Sequence, residues 1–196
     1  MALPTYNRDK RRKNFKTLPK GAYVVQIKSV RVDQNKSGSG QHLTIAYDIA
    51  EGEYKDYFQK QFDSNQNEDK KWPRDAIYYL TVPADNSAEY VFTNWNTFFA
   101  DLEDSNDGFR FQGDEKTLKG KLIGGKFYLE QSEYNGNIYD HIRLRWTCVA
   151  EDVRTGNYGS MPKDKLIETL SGPVPAYQQE DDFLAVPEGA DDEVPF

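Results

Sequence analysis

The side chains of this 196-residue chain that could do covalent chemistry are few and scattered. There are two histidines, His42 and His141, and one cysteine, Cys148. Acid–base or nucleophilic catalysis needs a base held within hydrogen-bond reach of its partner, and neither histidine lies in a pattern that would hold it there. No G-x-S-x-G, H-E-x-x-H or Walker sequence occurs. Acid pairs such as Asp181 and Asp182 stand on no rigid element, whereas metal-assisted hydrolysis needs carboxylates fixed in space. One cysteine excludes an intramolecular disulfide and leaves a cysteine-based zinc site without ligands. The sequence points away from an enzyme and implies no metal and no cofactor.

Non-covalent chemistry is better represented. Aromatic residues make up 14% of the chain, more than a small β domain needs for its core. Single-stranded nucleic acid is held by aromatic faces that stack on bases and by Lys or Arg that follow the phosphates. Residues 137–150 alternate so that Tyr139, Arg143 and Arg145 fall on one side, opposite Ile142, Leu144, Trp146 and Cys148. Lys126 and Tyr128 are expected on the same outer side, with Tyr134 at the adjoining turn. Lys36, Tyr54, Tyr57 and Trp72 complete the candidate contacts of the body, and Arg8, Arg11, Arg12 and Lys13 supply a basic arm. The competing reading is that these are cross-strand pairs that only stabilise a sheet.

The elements that would position them read as follows. Gly21 opens a strand in which Tyr23, Val25 and Ile27 share a face; the apolar phase then shifts to Val30 and Val32, which predicts a bulge near Lys28 and Ser29. A Gly-rich loop over 34–41 leads to a second strand carrying Leu43, Ile45, Tyr47 and Ile49. A third strand is expected from about Glu53 to Phe62, then a long polar loop from Asp63 to Asp75, with an additional strand over 76–82. Val91, Trp95, Phe98, Phe99 and Leu102 have helical spacing, with Asn86 and Glu89 resembling a capping box. Strand four spans about 121–133 with Gly124 and Gly125 as a kink, and Asn135-Gly136 is a hairpin signal before strand five. Lys165 to Leu170 reads as a short helix. Three strands, a helix and a two-strand hairpin fit a mainly β protein: an OB-fold-like five-stranded barrel with one α-helix between strands three and four.

Charge is segregated. Residues 1–20 hold seven basic residues and one acid, while 180–196 hold seven acids and no Lys or Arg, within a net charge of −7. The expected division is a basic arm over 1–20, a nucleic-acid-binding domain over 21–155, and a linker with an acidic tail over 156–196. No apolar run is long enough to span a membrane and no secretory h-region is present, so a cytoplasmic protein is expected, in the host cytoplasm if phage-encoded.

Two resemblances add to this reading. Asp191, Asp192, Glu193, Val194, Pro195 and Phe196 resemble the acidic, Pro-Phe-ended tip of bacterial single-stranded-DNA-binding proteins, which implies recruitment of replication, repair and recombination proteins. Leu18-Pro19-Lys20-Gly21-Ala22-Tyr23, the Lys-Ser-Gly loop at 36–38, Glu51-Gly52-Glu53-Tyr54-Lys55 and Glu151-Asp152-Val153-Arg154-Thr155-Gly156-Asn157 resemble a family of bacteriophage replication-associated proteins. That resemblance covers roughly 18–158 and implies an OB-like protein that binds single-stranded DNA without sequence specificity; residues 63–85 depart from its pattern. A homo-oligomer is compatible with it. The alternative is an interaction or DNA-mimic protein in which the barrel is a scaffold and the acidic tail binds a host or phage enzyme.

Overall fold

The computed structural model describes residues 16–35, 38 and 40–167. Five strands form one antiparallel sheet: β1 (Gly21–Gln34), β2 (Gln41–Ile49), β3 (Ile77–Thr81), β4 (Leu122–Tyr134) and β5 (Asn137–Cys148). Their order is β3-β2-β1-β4-β5. Three helices accompany them: α1 (Tyr57–Ser64), α2 (Glu89–Asp104) and α3 (Ala150–Thr155). The fold is mainly β, and this is the strand order of an OB barrel opened between β3 and β5, with α2 between strands three and four. No described helix is long and apolar enough to cross a membrane.

The expected β1 bulge is present, as the β1–β2 register shifts between Ile27 and Ser29. It lets one long strand pair with β4 through its first half and with β2 along most of its length. Alternation then places Val25, Ile27, Leu43, Ile45, Tyr47, Ile49, Ile123 and Phe127 in one core. The β4 glycines are required by close approach. A Cβ on Gly125 would lie 2.5 Å from Leu144, and one on Gly124 2.8 Å from the Cys148 carbonyl oxygen. Asn135 and Gly136 both take positive φ (51° and 74°), as a two-residue hairpin of this twist demands.

Three expectations about elements are corrected. The segment from Glu53 to Phe62 is not the third strand: Tyr57–Ser64 is helix α1, and the third strand is Ile77–Thr81. The local cause is the Asp48 carboxylate. It is fully buried and accepts from the backbone N–H groups of Ile49, Phe58 and Gln59 at 2.8, 2.9 and 3.0 Å. It thereby satisfies donors that the first turn of α1 leaves open. Burial pulls this carboxyl above its ordinary value, and the three N–H groups only partly offset that. The cap of α2 is Ala88 and not Asn86, although the apolar stripe holds, with Phe98, Phe99 and Leu102 buried. Lys165 is no helix start; it bridges in parallel to Glu130.

The open seam between β3 and β5 is closed by side chains. Tyr47 Oη donates to the Asp75 carbonyl at 2.7 Å and accepts from Leu144 N at 3.4 Å. Arg143 Nε lies 2.9 Å from Asp75 Oδ1, and Tyr78 of β3 stacks on Phe98 of α2.

Candidate nucleic-acid interface

The β4–β5 hairpin runs past the end of β1, whose last partner on β4 is Phe127 for Gly21. The hairpin pairs Lys126 with Trp146, Tyr128 with Arg143, Glu130 with His141 and Ser132 with Tyr139. Because Phe127 and Leu144 belong to the core, this set forms the outer face. Lys126, Tyr128, Tyr139, Arg143 and Arg145 therefore share one side, as the alternation predicts.

Trp146 joins them, against expectation. The register shifts between Lys126 and Phe127, which face Trp146 and Leu144, so Arg145 is an extra residue. A bulge of this kind reverses the side-chain phase beyond it. Trp146 is 46% exposed instead of buried, while Thr147 turns to donate to Asp101 of α2 at 2.6 Å. Burial raises the Asp101 carboxyl and Thr147 partly restores it. Arg145 and Trp146 thus present a cation and an indole side by side, with Lys126 across the ladder.

The other candidates separate by what their side chains already do. Tyr134 (67% exposed) and Tyr139 (46%) stand in solvent at and near the hairpin tip, beside exposed Ile138. Tyr128 is 8% exposed and cannot offer its ring face to a base, so it is withdrawn as a contact. Trp72 is withdrawn for the same reason: at 6% exposure it packs on Phe62 in the core. Tyr54 and Tyr57 sit edge to face with each other, and Tyr57 Oη accepts from Leu18 N at 3.3 Å, so both hold the incoming chain. Lys16 lies over the Tyr54 ring and ion-pairs with Glu53.

Arg143 is committed to the seam. Besides Asp75 it bonds Glu130 Oε2 at 2.8 Å, and Glu130 also holds Lys165 at 2.9 Å. Burial opposes charge on Arg143, but the two carboxylates prevail and hold it above its ordinary value. His141 completes the cluster, its Nδ1 3.2 Å from Asp75. Lys36, Arg8, Arg11, Arg12, Lys13 and the tail residues Asp191 to Phe196 lie outside the described residues.

A second exposed aromatic on the sheet was missed. Tyr79 stands in solvent on β3, beside Thr44 on β2, and its ring meets His42 edge to face at 5.5 Å. Strands two and three carry ligands in OB folds. The Ile77–Thr81 stretch shows its alternation only once it is placed at the sheet edge.

Among known families, residues 5–82 match the one described as "Protein of unknown function (DUF669)". No curated protein matches the chain.

Proposed function

We propose that the chain binds single-stranded DNA without sequence specificity, using the outer face of the β4–β5 hairpin. The observation that carries this is the exposed row Trp146, Tyr139 and Tyr134, with exposed Arg145 beside Trp146 and half-buried Lys126 across the ladder. Exposed rings cost a soluble protein apolar surface and are kept where something is to be stacked on them. From Trp146 to Tyr139 is about 20 Å at roughly 3.3 Å per residue, room for several nucleotides. Each stacked base contributes roughly 1–3 kcal/mol, so two or three with a few phosphate contacts give micromolar binding or better. Tyr79 and His42 form a further platform on the β2–β3 face. In this reading the N-terminal basic residues add phosphate contacts, and the acidic Pro-Phe end recruits replication or recombination proteins.

The test is anisotropy of labelled oligo-dT against duplex DNA of equal length across a salt series. The expected result is tighter binding of oligo-dT and a steep loss with added salt. No binding at low salt, or equal affinity for duplex, would leave the interaction-protein alternative as the better account.

A further inference from the structure

The segment after α3 docks on β4 through an isolated parallel bridge at Lys165. β1 leaves β4 at Phe127, but β4 continues to Tyr134, so the backbone of Leu129 and Gln131 on that side needs another partner. Lys165 supplies it: Lys165 N donates to the Leu129 carbonyl and Gln131 N to the Lys165 carbonyl, both at 2.8 Å. The side chains on either side fit too. Asp164 Oδ1 accepts from Leu129 N at 3.1 Å while its other oxygen ion-pairs with Lys20. Lys165 ion-pairs with Glu130, Ile167 N donates to Gln131 Oε1 at 3.2 Å, and Lys126 reaches the Ser160 carbonyl at 3.3 Å.

This docking is specific but lightly held. Leu166 points to solvent, and among residues 160–167 only Pro162 is buried. The remaining contacts are polar and at least partly exposed, where water competes and each holds weakly. The segment hangs from α3 through Gly156 and Gly159, both at positive φ (77° and 69°), which gives the connection two points about which to swing.

We propose that this β4 edge is an exchangeable strand site whose other occupant is the 160–167 segment of a second copy of the chain, giving a reciprocal dimer. A second copy brings an acid to Lys20, a cation to Glu130 and the same backbone pair to Leu129 and Gln131; only the connection from α3 differs. The short connection keeps the segment at its own edge at low concentration, since a tether of a few residues gives an effective concentration on the order of mM.

The test uses the full chain with residues 157–159 deleted, which leaves Gly156 to end α3 and takes about 10 Å of reach from the connection to the segment's own edge. Light scattering is expected to give twice the 22.6 kDa chain mass. A monomer up to about 1 mM overturns the proposal. A charge swap in the deletion background identifies the contact. Lys20→Glu and Asp164→Lys, each alone, place like charges together and are expected to be monomeric. Mixed in equal amounts they restore opposite charges at both edges and are expected to form a heterodimer. Dimers of either variant alone as stable as the parent, or a mixture that stays monomeric, overturn it.

Discussion

Two sets of aromatic residues in this protein meet opposite fates. Around α1, Tyr23, Tyr47, Tyr54, Tyr57, Phe58 and Phe127 meet edge to face at 5.0–6.3 Å. Three of their hydroxyls are tied to backbone groups: Tyr23 to nearby Pro19, and, across the fold, Tyr47 to Asp75 and Leu144 and Tyr57 to Leu18. On the hairpin, Tyr134, Tyr139 and Trp146 stand in solvent. Aromatic content alone therefore says nothing about binding. A ring fixed on its face and at its hydroxyl stabilises the fold, and only one left open on its face can stack on a base. The cations divide the same way, with Arg143 spent on Asp75 and Glu130 and Arg145 exposed on the outer face.

The comparison can be broken most forcefully at the tryptophans. Trp72→Ala is expected to cost about 3–5 kcal/mol in urea unfolding, as large-to-small core changes do. Trp146→Ala should stay within about 0.5 kcal/mol of the parent in the same measurement. Equal costs would erase the distinction. Next in size, Asp48→Ala leaves three backbone donors beneath α1 without their acceptor. A loss of about 3 kcal/mol is expected, with hydrogen-exchange protection of Phe58 and Gln59 falling first.

Among the arginines, Arg143→Ala should destabilise by about 2 kcal/mol, because Asp75 and Glu130 lose their shared partner. Arg145→Ala should leave stability alone and lower the slope of log affinity against log salt by about 1. A further effect is alkaline. Burial pushes the Cys148 thiol from 9.0 up to about 11 and the Tyr23 hydroxyl from 10.0 up to about 12. Raised acids are neutral in the fold while the unfolded chain ionises, so stability should decline as pH rises from about 9 to 12. Cys148→Ala should remove the part between 9 and 11, read by denaturation midpoints at fixed pH.

Much of the fold was legible because the signals are local. The phase shift after Ile27, the Asn135-Gly136 pair and the α2 stripe each state their geometry within a few residues. The third strand was misplaced although Tyr57, Phe58 and Phe62 sit at helical spacing, because the carboxylate that holds the first turn of α1, Asp48, comes from β2 and is not visible locally. The proposed binding face was half legible. Alternation put Lys126, Tyr139 and Arg145 on one side, but the extra residue that turns Trp146 outward is set by pairing with β4. Nothing local marks it. Likewise the burial of Tyr128 and Trp72 is a tertiary fact, invisible to spacing.

We propose Trp146 and its neighbours as the surface on which DNA stacks. Of the chain's three tryptophans, Trp72 is buried and Trp95 packs on Phe99 at 4.8 Å. Titration of intrinsic fluorescence with oligo-dT at low salt should therefore quench mainly Trp146. The account predicts that Trp146→Phe loses most of the quenching and that Trp146→Ala also weakens binding by roughly 1–3 kcal/mol. Quenching of parental size in Trp146→Phe, with affinity unchanged in Trp146→Ala, would contradict it.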